Sequence, residues 1–228
     1  MSQVNVTTLS REQARSVYDR IGARQDSQAF YEDPATEFLI SHGEFGCANR
    51  VFEFGCGTGR FALRLLSEYL PETGRYRGVD LSSTMVELAR QRLAPYISQA
   101  QVTLTDGSLP TVEAVGRFDR FVSNYVLDLL SENDIAAVIR EAHRMLEPHG
   151  LLCLSSLSMG SGLLSGLVAR AWSFVHAVRP SLVGGCRPVD LFAWLPSASW
   201  QVCHHTRVAP FSVPSEVVIA QPRNAFSV

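Results

Sequence analysis

Val51-Phe-Glu-Phe-Gly55-Cys-Gly57-Thr-Gly59-Arg-Phe61 is the stretch on which the reading of the fold turns. A short, mostly apolar run, Arg50–Phe54, leads into three glycines spaced two apart. Phe61, Ala62, Leu65, Leu66 and Tyr69 then follow at helical spacing as far as Pro71. Strand, glycine turn and helix in that order predict a parallel strand with a ligand at its exit. Glycine lets the chain turn with positive φ and brings bare backbone close to a ligand. The helix behind it aims free N–H groups at the same point. A dinucleotide pattern would put its third glycine at 60, where this chain has Arg60. The glycines fall instead at 55, 57 and 59, with an acid, Glu53, two residues ahead of them. Standing alone, the motif is a weak signal, more often a tight strand-to-helix turn than a nucleotide site.

Working outward, strand-like and helix-period segments alternate. Residues 76–80 read as a strand, and Thr84 with Glu87 as a capping box ahead of Met85, Leu88, Ala89 and Leu93. Residues 102–105 and Phe118–Asn124 are further strands. Ser131 caps a helix carrying Ile135, Val138, Ile139, Ala142 and Leu146, ended by Pro148 and Gly150, and residues 151–157 make a fifth strand. Such alternation gives right-handed crossovers and a parallel sheet. Trp200–Val208 and residues 216–220 are two strands joined by a link too short for a crossover helix, so they pair antiparallel. Upstream, Ser10 starts one helix and Asp33-Pro34 opens another. The expectation is one α/β domain over residues 1–228: a helical cap (1–49), a doubly wound core (50–158), and a substrate-side helix with a terminal strand pair (159–228).

Composition bounds the chemistry. The 228 residues are 46% hydrophobic and 18% charged, as in an ordinary globular protein. All 20 basic residues are arginine, which removes Schiff-base and Walker-type lysine chemistry. A net charge of −2 gives no basic footprint for nucleic acid. Five scattered cysteines (Cys47, Cys56, Cys153, Cys186, Cys203) without a C-x-x-C pair predict neither a disulfide framework nor a zinc site. The first residues lack a signal-peptide pattern, and Gly150 to Ala169, though uncharged, is diluted by nine Ser and Gly residues. These features suggest a reduced, cytoplasmic protein with no integral membrane segment and no metal.

Asp80 closes the second strand, where two carboxylate oxygens match a ribose diol; the plainer alternative is a helix-capping or turn acid. Asp106-Gly107 follows the third strand. Three successive strands thus end in Gly, Asp or Asp-Gly on one sheet edge, where open parallel sheets bind ligands.

With those residues in hand, the sequence resembles the class I S-adenosylmethionine-dependent methyltransferases, in particular their small-molecule, type 11/12-like branch. The resemblance runs from Val51 to Leu157 and rests on Glu53-Phe-Gly55-Cys-Gly57-Thr-Gly59, Gly78-Val-Asp80-Leu-Ser-Ser-Thr-Met85, Asp106-Gly107 and Glu141-Ala-His-Arg-Met-Leu-Glu-Pro-His-Gly150. Glu147 and His149 depart from the family's usual Lys-Pro-Gly-Gly. It implies S-adenosylmethionine as cofactor and S-adenosylhomocysteine as product. Gly55, Cys56, Gly57 and Gly59 would lie under its methionine and ribose, with Glu53 organising the loop. Asp80 would hold the ribose, Leu81 and Met85 the adenine, and Asp106 with Gly107 the adenine amine. Ser123, Asn124 and Tyr125 would flank the sulfonium, and Tyr18 and Tyr31 would close the cap over the methionine end.

The strand exit Ser123-Asn124-Tyr125-Val126 differs from the Asn/Asp-Pro-Pro-aromatic run of base and glutamine methylation, and the apolar stripe of residues 162–179 gives indirect support for a small, apolar, aromatic or lipidic acceptor. Asp128, one turn past Tyr125, is the candidate base, and Tyr18 of the cap is a second catalytic candidate. On residues 162–179, Leu164, Leu167, Val168, Ala171, Trp172, Val175 and Val178 form a stripe with two readings. It packs on the sheet, or it walls an apolar substrate pocket and touches a membrane through Trp172, Phe174, Arg170 and Arg179. Arg187 would hold an anionic substrate group or serve structure. Two rival functions stay open: a non-catalytic module that keeps the fold, and a nicotinamide-dependent reductase.

Overall fold

The computed structural model describes residues 8–109, 116–160, 162–179 and 184–223. In chain order the elements are α1 (Arg11–Ile21), α2 (Ala29–His42), β1 (Arg50–Phe54), α3 (Arg60–Arg64), β2 (Arg75–Asp80), α4 (Ser83–Arg92), β3 (Ala100–Leu104), β4 (Phe118–Asn124), α5 (Glu132–Met145), β5 (Leu146–Leu157), α6 (Leu163–Val178), β6 (Trp200–Val208) and β7 (Ser215–Pro222). The strands form one seven-stranded sheet ordered β3-β2-β1-β4-β5-β7-β6. β1 to β5 are parallel, and β7 runs antiparallel to both β5 and β6. The mixed, doubly wound α/β fold with a reversed last strand is therefore as the sequence led us to expect.

Strand periodicity puts alternate residues on opposite faces, and each face has its own core. Phe52, Phe121, Leu152 and Leu154 pack with Ile135, Ala142 and Met145 of α5. Val51, Val122, Cys153 and Ile219 pack with Leu39 of α2, Ala62 of α3 and Ala89 of α4. From β1 the chain winds outward through β2 to β3 and then crosses to β4 and β5 on the other side, which sets a topological switch at the carboxyl ends of β1 and β4.

Several local boundaries differ from the sequence reading. α2 begins at Ala29, before Asp33-Pro34, because residues 22–28 already coil as short 3₁₀ turns and deliver the chain in helical geometry. Pro34 forfeits only its own N–H bond within the helix. The cap of α4 is Ser82, whose hydroxyl accepts from the Met85 N–H at 3.1 Å, and not Thr84. α5 stops at Met145, and β5 runs on through Pro148 and Gly150, which the sequence suggested as the stop signals. Ser10 and Ser131 do cap α1 and α5.

One buried cation ties the cap side to the sheet. Arg120 on β4 is 4% exposed and donates to the carbonyls of Gly43 (2.6 Å), Glu44 (2.8 Å) and Asp119 (2.7 Å). Arg120→Met keeps the length but strands those carbonyls, so we expect a loss of about 3 kcal/mol in chemical denaturation. A loss below about 1 kcal/mol would show the guanidinium to be dispensable.

Candidate functional site

Three strand ends meet at one sheet edge. Past Phe54 the chain turns through Gly55 (φ +77°), and the N–H groups of Gly55 and Cys56 both donate to the Val79 carbonyl, at 2.8 and 3.0 Å. A Cβ at Gly55 would collide with Val126, and one at Gly59 would press on Ala89 of α4 at 3.0 Å. At Gly57 a Cβ would meet nothing within 4 Å, and that bare face lines a cavity of about 380 Å3. Beneath the loop, Glu53 is buried and accepts from the Tyr76 hydroxyl. Gly78 has no room for a side chain, because Tyr76 Oη and Cys56 Cβ stand 2.7 and 2.9 Å from where its Cβ would be.

Asp80, ending β2, reaches back over this turn. Its Oδ2 accepts from the Gly57 N–H at 2.8 Å and its Oδ1 from the Ser82 N–H at 2.9 Å. Burial pushes its carboxyl above the ordinary range, and those N–H donors pull the other way. Leu81 and Met85 line the cavity beside it. On the far side Asn124 and Tyr125 leave β4 into the same space. Tyr125 is held at φ +52°, its hydroxyl donating to Ser215 Oγ at 2.8 Å.

The cavity thus gathers Glu53, Gly55, Cys56, Gly57, Asp80, Leu81, Met85, Gly107, Asn124, Tyr125 and Tyr18. Other residues singled out by sequence stand off it. Gly59 shapes the loop from behind. Ser123 is fully buried, donating to the Phe54 carbonyl at 3.2 Å. Asp106 is turned from the cavity, accepting from the Ser108 N–H at 2.9 Å and from its hydroxyl in an Asx turn. Asp128 is buried behind the wall, where the Leu157 N–H donates to it at 3.4 Å. Tyr31 lies behind Tyr125, its hydroxyl donating to Gln28 at 2.9 Å. Trp172 donates its indole N–H to the Cys186 carbonyl, and Arg187 donates to the Leu130 carbonyl, so both bind backbone outside the cavity lining. Tyr18 lines the cavity with its phenol 3.9 Å from Cys186 Sγ, and burial pushes that phenol up, against a role as base.

Sequence reasoning missed the polar roof. Gln25 and Glu32, from the segment before and within α2, line the cavity with Gln25 Oε1 and Glu32 Oε1 buried and unpaired, as is Asn124 Nδ2. The roof is latched by arginines. Arg92 donates to Asp26 (2.6 Å) and Thr58 (2.7 Å), Arg60 to Asp33 (2.7 Å), and Arg64 pairs with Glu37 at 2.5 Å. The acids occupy one side of this segment at helical spacing, a signal open only once their partners are known. Among the described residues, no group of three or more His, Cys, Asp or Glu is placed to hold a metal, and no helix is long and apolar enough to cross a membrane.

Residues 51–150 match the methyltransferase domain family. The carboxy-S-adenosyl-L-methionine synthase of Chromohalobacter salexigens is 33% identical over 114 residues, 50% of this chain and 41% of that protein. The malonyl-[acyl-carrier protein] O-methyltransferase of Erwinia pyrifoliae is 28% identical over 83% of this chain and 64% of its own length. The chain thus spans less than two thirds of these curated relatives. Among solved structures, the N-methyltransferase NodS of Bradyrhizobium japonicum with S-adenosyl-L-homocysteine superposes with a TM-score of 0.70 at 17% identity, over 92% of this chain and 99% of that one. The [4+2]-cyclase SpnF does so with 0.72 at 15%, over 96% and 98%. The chain thus has the fold of the class I S-adenosylmethionine-dependent methyltransferases, and residues 51–150 of its core match a methyltransferase domain.

The buried carboxyls give the molecule a pH response. Burial pushes Glu53 up to about 8, aided by Asp80 and opposed by the Tyr76 hydroxyl. Burial likewise pushes Glu32 up to about 7, opposed by Arg60 and aided by Asp128, Asp33 and Asp26. Folded values above unfolded ones mean that the folded state binds protons more tightly. That contribution is complete below about pH 4.3 and is lost as pH climbs through 7 and 8. We therefore expect the unfolding temperature to fall between pH 5.5 and 8.5. Glu32→Gln should flatten the profile, by on the order of 1–2 kcal/mol at pH 8. A flat wild-type profile would refute it.

Proposed function

We propose that this chain transfers a methyl group from S-adenosylmethionine to a small, apolar, aromatic or lipidic metabolite. The observation that carries the reading is the Asp80 carboxylate, set at the cavity directly beside the bare backbone of Gly57. The donor set fits the cofactor. Each Asp80 oxygen accepts a backbone N–H and keeps lone-pair capacity for a ribose hydroxyl. Leu81 and Met85 offer apolar walls for adenine, and Gly55, Cys56 and Gly57 offer backbone for the ribose and methionine. The unpaired Gln25 Oε1, Glu32 Oε1 and Asn124 Nδ2 suit the polar methionine end and the acceptor. At the adenine edge we assign Thr105 and Gly107, which line the cavity, ahead of Asp106, which would have to leave its turn with Ser108.

When bound, the cofactor supplies an electrophilic methyl carbon on a sulfonium, whose in-line displacement demands alignment and a dry site more than acid–base power. This chain provides alignment through Tyr125, pinned by the hydroxyl of Ser215 and by its N–H bond to the Ser155 carbonyl at 2.9 Å. The arginine-latched roof covers the cap side of the cavity and would restrict water there. For an acceptor that carries a proton, Glu32 is the cavity-lining carboxyl with a buried, unpaired oxygen; Asp128 lies outside the cavity lining. A hydroxyl or amine acceptor would pass that proton to Glu32 Oε1 as its lone pair forms the new bond.

The cyclase among the fold neighbours is a reminder that a fold does not set a reaction, so the test addresses the site. Calorimetry should give micromolar or tighter binding of S-adenosylhomocysteine. Asp80→Ala should weaken it by about one to three decades, since charge-assisted bonds are worth roughly 1.5–3 kcal/mol each. Asp80→Asn should lose less. If Asp80 only fastens the loop, Asp80→Ala will lower the unfolding free energy by ~1 kcal/mol and leave affinity untouched. Folded protein that binds neither cofactor nor product would end the proposal.

A further inference from the structure

Helix α6 is inside out. Among its described side chains the buried ones are Ser165, Ala169 and His176, and Trp172 is turned inward to Cys186. Leu167, Phe174 and Val178 stand 62%, 70% and 64% exposed, with Ala171 exposed between them. Their spacing, i, i+4, i+7 and i+11, is a single helical stripe. A surface helix of a globular protein ordinarily turns such a stripe to the core and leaves its polar residues outside. The stripe expected from sequence also ran through Val168, Trp172 and Val175, which are only partly exposed, and left out Phe174, which the exposed face includes.

The surplus apolar surface continues beyond the helix. The turn Pro210–Ser212 packs against α6 and presents Phe211, 77% exposed and at φ +51°, a costly conformation for an aromatic residue. Phe30, 56% exposed, meets Phe211 edge-on at 5.5 Å. Behind Phe30, Tyr31 follows at 5.1 Å and Tyr125 at a further 6.0 Å, so a ladder of rings runs from this surface to the cavity wall.

Charge identifies the occupant. From Pro148 to Val189 the chain has no acidic residue, although its net charge is −2. Arg170 and Arg179 are exposed beside the stripe. Two-fold self-association would press two acid-free segments together with no carboxylate between them. An anionic lipid surface supplies both complements: headgroups for the arginines and the acyl boundary for Leu167, Phe174 and Val178. We propose that α6, with Phe211 and Phe30, is a docking face for an anionic membrane surface, beside the cavity.

The full chain should co-sediment with phosphatidylcholine vesicles containing phosphatidylglycerol, less so at high salt, and not with phosphatidylcholine alone. Leu167→Ser with Phe174→Ser should lower the partition coefficient at least about tenfold. Arg170→Gln and Arg179→Gln should lower it about fivefold each. Unchanged melting temperature and S-adenosylhomocysteine affinity in each variant show that folding and the cavity are intact. No sedimentation of folded wild-type protein with either vesicle overturns docking, as does sedimentation indifferent to the serine substitutions. A dimer in analytical ultracentrifugation that Phe174→Ser dissolves overturns it in favour of a second copy. Vesicle binding by protein that fails to bind S-adenosylhomocysteine supports docking and counts against methyl transfer alone.

Discussion

The Asp80 carboxylate is bonded to two loops at once, and the site depends on that double attachment. One oxygen fixes Gly57 of the glycine turn and the other fixes Ser82 at the head of α4. Loss of the Gly57 contact would loosen the tip of a turn whose base is held by the Gly55 and Cys56 bonds to the Val79 carbonyl, because nothing stands within 4 Å of Gly57 on its open side. The residues below Asp80 are built around the same demand. Glu53 and Tyr76 share a hydrogen bond under the turn, Cys56 fills the space above Gly78, and no side chain at 78 would leave room for either. A protonated Glu53 suits this position, since Asp80 nearby disfavours a second negative charge in a dry interior.

The roof is held differently from the floor. Glycine turn, strand ends and α4 are joined by backbone bonds and packing, whereas Asp26, Asp33 and Glu37 are held by Arg92, Arg60 and Arg64 through side chains that are 27–57% exposed. Partly exposed ion pairs contribute under about 1 kcal/mol each and weaken with salt. A cavity whose cofactor must enter and leave needs a cover of this kind, strong in number and weak in each latch. Arginine suits it better than lysine would: Arg92 spans Asp26 and Thr58 with one planar fork, tying the cap to the glycine loop itself.

How much of this the sequence disclosed follows from the range of the forces involved. The bounds of β1, β4 and β6 were legible to the residue, since strand periodicity and flanking glycine or proline are local. The reversed β7 followed from one short connection. α2 was misplaced because Pro34 is a sound start signal when the chain arrives extended, and here it arrives already coiled. Position on a strand exit told which residues approach the cavity but not where each side chain turns. Asp80 points into it, while Asp106, at the corresponding place after β3, finds Ser108 two residues on and folds back. Glu32 and Gln25 had no sequence signal at all; they reach the site only through the cap's tertiary placement.

Asp128 and Glu32 show why proton affinity and role must be argued separately. Burial lifts both carboxyls to about 7, and each has one oxygen without a partner. By titration alone they are equal candidates for a base. Their surroundings differ: Asp128 sits behind the wall near Arg187, with the Leu157 N–H on its other oxygen, whereas Glu32 opens on the cavity with Arg60 3.9 Å away and already committed to Asp33 at 2.7 Å. A proton taken by Asp128 would have to cross packed side chains, and one taken by Glu32 would come from the cavity itself. For the proposed methyl transfer, geometry therefore favours the cap's Glu32 over Asp128 as proton acceptor, with the sheet edge that was so readable in the sequence as the bed for the cofactor beneath it.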